Sequence, residues 1–227
     1  LGAAFVLGML ILGGSLVLMV NNLKSYDRCV TVKGLCEKEV MADKVIWPIV
    51  YKQAGNDLSE LYGRVKDMNA VIIKFLKDAG VTDDEITTNA PSILDTQTNL
   101  YGERKEYRYI VTAGVTVCSQ KVELMVKLQT EQAKLYEKGI PVGMGENWSY
   151  PTTYSFTGLN DIKPAMIEEA TQNAREAAEK FAKDSGSRLG KIKNANQGTF
   201  TIENRDSNTP YIKKVRVVTS VTYYLKN

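Results

Sequence analysis

The 227-residue sequence contains no histidine. That removes the usual Ser-His-Asp and Cys-His forms of nucleophilic catalysis, and the common zinc sites with them. Proton transfer would fall to carboxylates, lysine or tyrosine with shifted pKa values. Cysteine is sparse, with residues only at 29, 36 and 118 and no C-x-x-C spacing, which argues against a structural metal. Charge of one sign is not in excess either: 29 basic residues face 26 acidic ones, for a formal +3. No run of lysine and arginine is interleaved with aromatics, so a nucleic-acid partner is not indicated. Nucleophile-elbow, P-loop and metal-ligand spacings are missing, as are internal repeats and low-complexity tracts. These absences point away from an enzyme and nominate no catalytic residue, cofactor or metal.

Residues 1–20 (LGAAFVLGMLILGGSLVLMV) carry no charged side chain. At about 1.5 Å per residue they would span roughly 30 Å, the thickness of a bilayer core. They read as one transmembrane anchor, with the lipid bilayer as partner. A cleaved signal peptide is the rival reading, but Asn21-Asn22-Leu23-Lys24-Ser25 offers no small-x-small cleavage site. A buried core helix is the third reading, and the run lacks the amphipathic face it would need. Ala4 and Gly8 form a small-xxx-small pair of the kind found at helix contacts in membranes. Residues 21–27 form a polar linker, and the remaining chain, 28–227, is long enough for one good-sized domain.

The domain opens with an alternating strand from Cys29 to Glu37, in which Cys36 shares parity with Val30 and Val32 and reads as a core thiol. Cys29 lies on the other face, and Cys118 lies on the polar face of its own strand with Thr112, Gly114 and Thr116. A Cys29–Cys118 disulfide stays open, conditional on those strands being neighbours. A second strand, Lys44–Gln53, puts Val45, Trp47, Ile49 and Tyr51 on one side, and Pro48 within it signals an edge or a bulge. Asn56 or Asp57 caps a long amphipathic helix that ends at Gly80, and Asp57 and Glu60 have capping-box spacing. An irregular strand follows over 85–98, then a charged turn, a strand over 107–118 with Val111, Ala113, Val115 and Val117 inward, and a helix over 119–138 carrying Val122, Met125, Val126, Ala133 and Tyr136. A loop at 141–151, a short strand at 152–157, a third helix, and strands over 189–203 and 211–225 complete the chain. Strands at both ends with helices between them argue for an α+β fold: antiparallel β-sheets with helices packed on one face, plus the N-terminal transmembrane helix.

The third helix is the most distinctive stretch. Met166, Ala170, Ala174, Ala177 and Phe181 recur at helical spacing, with Asn160 or Asp161 as the cap, Pro164 in the first turn and Gly186 as the stop. Its alanines predict close packing on a sheet. This alanine run after an acidic pair, followed by Gly186 and Arg188-Leu189-Gly190-Lys191-Ile192, resembles the C-terminal signature of the SIMPL-domain family. Val30-Thr31-Val32-Lys33-Gly34 with Glu37, Ala42-Asp43 and Trp47 is similar to that family's opening strand pair, and Val215–Leu225 to its closing strand. The resemblance implies an α+β architecture and a family mostly of unknown function, some of whose members are oligomeric envelope proteins linked to stress protection.

Two functional readings follow. The first is a membrane-tethered, non-catalytic domain on the extracytoplasmic (periplasmic) side of a single-pass bacterial membrane protein, self-assembling into a homo-oligomer, ring-like if sheet edges join neighbours. The second is a ligand-binding or enzymatic module with a cryptic aromatic pocket. Trp47, Trp148 and Tyr150, with Tyr101, are its candidate ligand or interface residues. The acidic groups Asp83-Asp84-Glu85 and Glu168-Glu169 read as structural, at a turn and near a helix N-terminus. The sequon at Asn147 and the G-x-G at Gly143 carry little weight.

Overall fold

The computed structural model describes residues 8–9, 12–16, 19, 28–98, 106–143 and 151–226. The anchor expected over 1–20 falls largely outside the described residues, and the linker over 21–27 wholly so. The residues placed within the first twenty are helical and exposed. Among the described residues, no helix is long and apolar enough to cross a membrane.

In chain order the elements are β1 (Cys29–Met41), β2 (Lys44–Gly55), α1 (Leu58–Asp78), β3 (Ile86–Thr88), β4 (Ser92–Asp95), β5 (Tyr109–Ser119), α2 (Val122–Thr130), α3 (Ala133–Glu137), β6 (Thr153–Ser155), α4 (Leu159–Asp184), β7 (Arg188–Gln197), β8 (Thr201–Asn204) and β9 (Ile212–Lys226). The stretch over 28–227 forms two compact units. Unit I takes the chain up to Val40, Gly158–Arg205 and the residues from Lys214 onward; unit II takes Met41–Thr157 and Asp206–Lys213. Sheet I has the order β1-β9-β7, with β8 also on β9; sheet II has the order β3-β5-β2-β6, with β4 also on β5. The fold is α+β with antiparallel sheets, as the patterning predicts.

In unit II, the period-2 pattern sorts the two central strands cleanly. Val45, Trp47, Ile49 and Tyr51 of β2 and Val111, Ala113, Val115 and Val117 of β5 are all buried, in one core with α1, α2 and α3 residues. Asp57 caps α1 as expected, its Oδ1 accepting from the Ser59 and Glu60 N–H groups at 2.8 and 3.0 Å. Gly80, at φ 95°, stops it. One polar residue sits in the buried stripe of α1. Asn69 takes a core position because the Tyr51 hydroxyl lies 3.0 Å from its Oδ1 and 2.9 Å from the Val65 carbonyl. Burial pushes the Tyr51 phenol up to about 12, so it stays a donor at neutral pH.

Pro48 sits where the sequence places a proline, at an edge. β6 covers β2 only over Lys44–Ile46. The Val50 carbonyl accepts from Gly143 N–H at 3.1 Å, so it points away from β5. Pro48 has the same parity, so its missing N–H also falls on that uncovered side and removes no bond to β5. The helix expected over 119–138 is instead two, α2 and α3. The Thr130 hydroxyl turns back to the Lys127 carbonyl at 2.6 Å, and the break follows at Glu131 and Gln132. Leu128 and Leu135 then take buried places, while Ala133 and Tyr136 stay exposed.

Unit I is built on a close approach of backbones. β9 is the central strand, and Val215, Val217, Val221 and Tyr223 face the helix side. On α4 the buried row is Met166, Ala170, Ala174, Ala178 and Ala182, so the expected Ala177 and Phe181 fall outside it; Phe181 is 57% exposed. The reason lies on β1. A Cβ added to Gly34 would stand 1.8 Å from the Ala170 carbonyl oxygen and 2.9 Å from the Ala174 Cβ. Only glycine fits under this helix, and alanines line its contact face where it crosses the strand. The helix also starts earlier than expected, at Leu159, which leaves Pro164 as its sixth residue rather than in the first turn. Leu159 and Ile162 are partly buried and extend the apolar stripe, while a proline this near the N-terminus removes a single helical bond. The strand expected over 189–203 is split into β7 and β8, with register shifts in β7.

Cys36 is buried as predicted, and Cys29 and Cys118 are exposed; all three thiols are free. The condition for a Cys29–Cys118 bridge is not met: β1 lies in sheet I and β5 in sheet II.

Gly34→Ala should destabilise the protein by roughly 3 kcal/mol or prevent folding, because the helix must lift from the sheet. Gly63→Ala, on the open side of α1 with nothing near its added Cβ, should stabilise by about 0.5–1 kcal/mol. Urea unfolding of both variants measures the pair.

Candidate functional site

Trp47, nominated as a ligand or interface residue, is 3% exposed within the core of unit II. Its backbone neighbourhood borders a small cavity of about 190 Å³, lined also by Pro48, Val50, Gln132, Val142 and Pro151. Trp148, Tyr150 and Tyr101 lie outside the described residues. An apolar groove of about 480 Å³ runs beside α1 and β4, lined by Leu58, Tyr62, Pro91 and Ile93.

The outer faces of the two sheets differ in kind. In sheet I the face away from α4 is charged. Lys214 and Arg216 of β9 both meet Glu37 of β1, at 2.9 and 3.5 Å, and Arg205 meets Glu39 at 3.4 Å. Glu37, Lys214 and Arg216, with Glu203, Thr199 and Thr201, line an open groove of about 320 Å³. In sheet II the register places Ile46, Pro48 and Val50 beside Cys118, Thr116 and Gly114, with Thr112 opposite Lys52. All of these have the parity opposite to the core residues. Between Lys44 and Lys52 this surface carries no charge on β2 or β5. Leu94 of β4, 55% exposed, adds to it opposite Ile110. The sequence holds the signal for this face, since the row Thr112, Gly114, Thr116, Cys118 is uncharged.

The acidic turn at Asp83-Asp84-Glu85 is a structural clasp. Glu85 accepts from Ser119 Oγ at 2.6 Å, Thr82 N–H at 2.9 Å, Thr82 Oγ1 at 3.0 Å and Lys121 Nζ at 3.0 Å. Burial alone would raise this carboxyl, but the hydrogen bonds from Ser119, Thr82 and Lys121 outweigh it and hold it near 2. It is ionised at neutral pH and has no proton to donate. Lys121 also reaches the Gly80 carbonyl at 3.1 Å, so the clasp joins the end of α1 to the end of β5. In unit I, Glu169 accepts from the Cys36 thiol. Burial, then this bond and the charge behind it, push the thiol up to about 11. Among the described residues no cluster of three or more histidine, cysteine or acidic side chains is placed to hold a metal ion.

A family model described as SIMPL, a protein of unknown function (DUF541), matches residues 30–223. The chain belongs to the SIMPL family. The match begins on β1 and ends on β9, so it takes in both units. The three segments that carry the resemblance lie on elements that build unit I, together with the start of β2: the opening strand, α4 with the start of β7, and the closing strand. The Gly34 approach to Ala170 and Ala174 joins two of them. No curated protein matches this SIMPL chain.

Two measurements test the titrating groups. Glu85 is held at about 2 in the fold against an ordinary 4.5. Its stabilisation is therefore complete above the ordinary value and is lost as pH falls from there toward 2. Glu85→Gln should be clearly less stable than the parent in urea at pH 7, with the gap closing toward pH 2. Iodoacetamide under native conditions at pH 8 should label Cys29 and Cys118 and spare Cys36 until the protein is unfolded, as read by mass spectrometry.

Proposed function

We propose that this SIMPL protein is a non-catalytic envelope domain, tethered to a membrane through residues 1–20 and lying on its extracytoplasmic side, that works by associating with copies of itself. The observation that carries this reading is the outer face of sheet II. An antiparallel sheet covered by helices on one side normally turns a polar face to water. Sheet I follows that rule with its lysines, arginines and glutamates. Sheet II departs from it, with isoleucine, proline, valine and threonine where charges would be expected. Such a face is cheap to dehydrate. It suits face-to-face packing against an identical sheet, the arrangement a two-fold contact requires. The resemblance to a family in which some members are oligomeric envelope proteins linked to stress protection supports the same reading; a two-fold contact alone closes as a dimer, and a ring-like assembly forms if a second contact joins the dimers.

Light scattering on the detergent-extracted chain at micromolar concentration should give one discrete mass of several copies; a monomer would sink the proposal. Val50→Lys, which places a charge at the centre of the uncharged face, should shift that mass toward monomer. Ser220→Lys, on the charged face of sheet I, should leave it unchanged. An intact assembly in the Val50 variant would move the contact off this face.

A further inference from the structure

β1 is the thirteen-residue edge strand of sheet I, paired on one side to β9. The Arg28 carbonyl accepts from Leu225 N–H at 2.8 Å, and Thr31 meets Thr222 through their hydroxyls at 2.9 Å. Partner numbers fall as β1 numbers rise, so the pair is antiparallel. In such a pair, alternate residues turn both backbone groups to the partner and the ones between turn both away. Arg28 faces β9, so by alternation Thr31, Lys33, Leu35 and Glu37 turn their N–H and C=O groups to the outer edge. An edge of this length is a template for another strand unless something covers it.

The helix α4 supplies a cover at the middle of the edge. Its backbone lies against Gly34, and from there the Asn173 amide reaches over the strand and donates to the Leu35 carbonyl at 2.8 Å. One turn earlier on the same helix flank, Glu169 holds the Cys36 thiol. The occupant this edge would otherwise accept is written in its side chains. In an antiparallel pairing of β1 with a second copy about Leu35, Lys33 stands opposite Glu37 of the other copy, twice over by symmetry. Leu35, 41% exposed, meets itself. A slip by one residue pair in one direction sets Lys33 opposite Glu39 instead, so that register is also complementary in charge. We infer that the outer edge of β1 is a latent pairing surface for β1 of a second copy, and that Asn173 on α4 keeps it shut. This inference does not depend on the contact proposed for sheet II.

The test reads the edge by cross-linking. With Cys29 and Cys118 replaced by serine and Cys36 left buried, Leu35→Cys is introduced with and without Asn173→Ala. Alanine is the best helix former, so the second change leaves α4 intact. Across a hydrogen-bonded antiparallel pair the two position-35 Cα atoms would stand about 5.5 Å apart, within disulfide range. Under a mild copper oxidant, the Asn173→Ala protein should form the 35–35 cross-linked dimer at least tenfold faster than the protein retaining Asn173. Equal rates in the two proteins, whether fast or absent, would overturn the inference. A faster rate in the protein that keeps Asn173 would overturn it as well.

Discussion

Unit I depends on one contact, the passage of the α4 backbone over Gly34 at a distance no Cβ could tolerate. Several other features follow from it. The buried row of α4 must be small, so four of its five members are alanine. Phe181, although it has helical spacing, is turned out because a ring would prop the helix away from the sheet. The same closeness brings the polar flank of the helix within reach of the strand, so Glu169 meets Cys36 and Asn173 meets Leu35. Close packing of this kind gains dispersion contacts along the whole crossing and leaves little room for adjustment.

Unit II solves the same problem with bulk instead of proximity. Its core mixes leucine, isoleucine, valine, phenylalanine and one tryptophan from three helices and two long strands. It also admits a polar pair, Tyr51 with Asn69, whose side chains hydrogen-bond to each other. The difference extends to the outer surfaces. Sheet I presents a lattice of ion pairs whose solvation is easily kept, and exposed pairs of that kind add little stability. Sheet II presents branched and hydroxyl side chains with little to lose on leaving water. The two units share an architecture, and the chemistry of their exposed faces separates them.

Much of the secondary structure was legible in the residues. Asp57 and Gly80 bound α1 because capping and the left-handed stop are local effects. The inward sets of β2 and β5 follow from alternation alone. The failures have a common cause, which is that tertiary contacts choose among faces that local periodicity leaves equivalent. Ala177 and Ala178 are equally good helix residues, and Gly34, far away in sequence, decides between them. Pro164 suits a first turn, but the partial burial of Leu159 and Ile162 moved that turn upstream. The division into two units was invisible, since two of the four crossings, at Val40–Met41 and Lys213–Lys214, fall inside β1 and β9 rather than in a linker. Among the candidate site residues, Trp47 had the parity of the core, and that parity was the better guide to its place than its aromatic ring.

The chain enters unit I, leaves it for more than a hundred residues, returns, leaves briefly again and comes back to finish. Its central strand, β9, comes after every other element of both sheets. Vectorial synthesis therefore meets the two units in an order set by connectivity. The sheet of unit II can be complete while β9 is still being made. Until that strand arrives, β1 has no partner on its inner side and α4 has only an incomplete sheet to lie upon. A nascent chain of this protein thus passes through an interval in which sheet II is finished while unit I still exposes its alanine stripe and a bare strand.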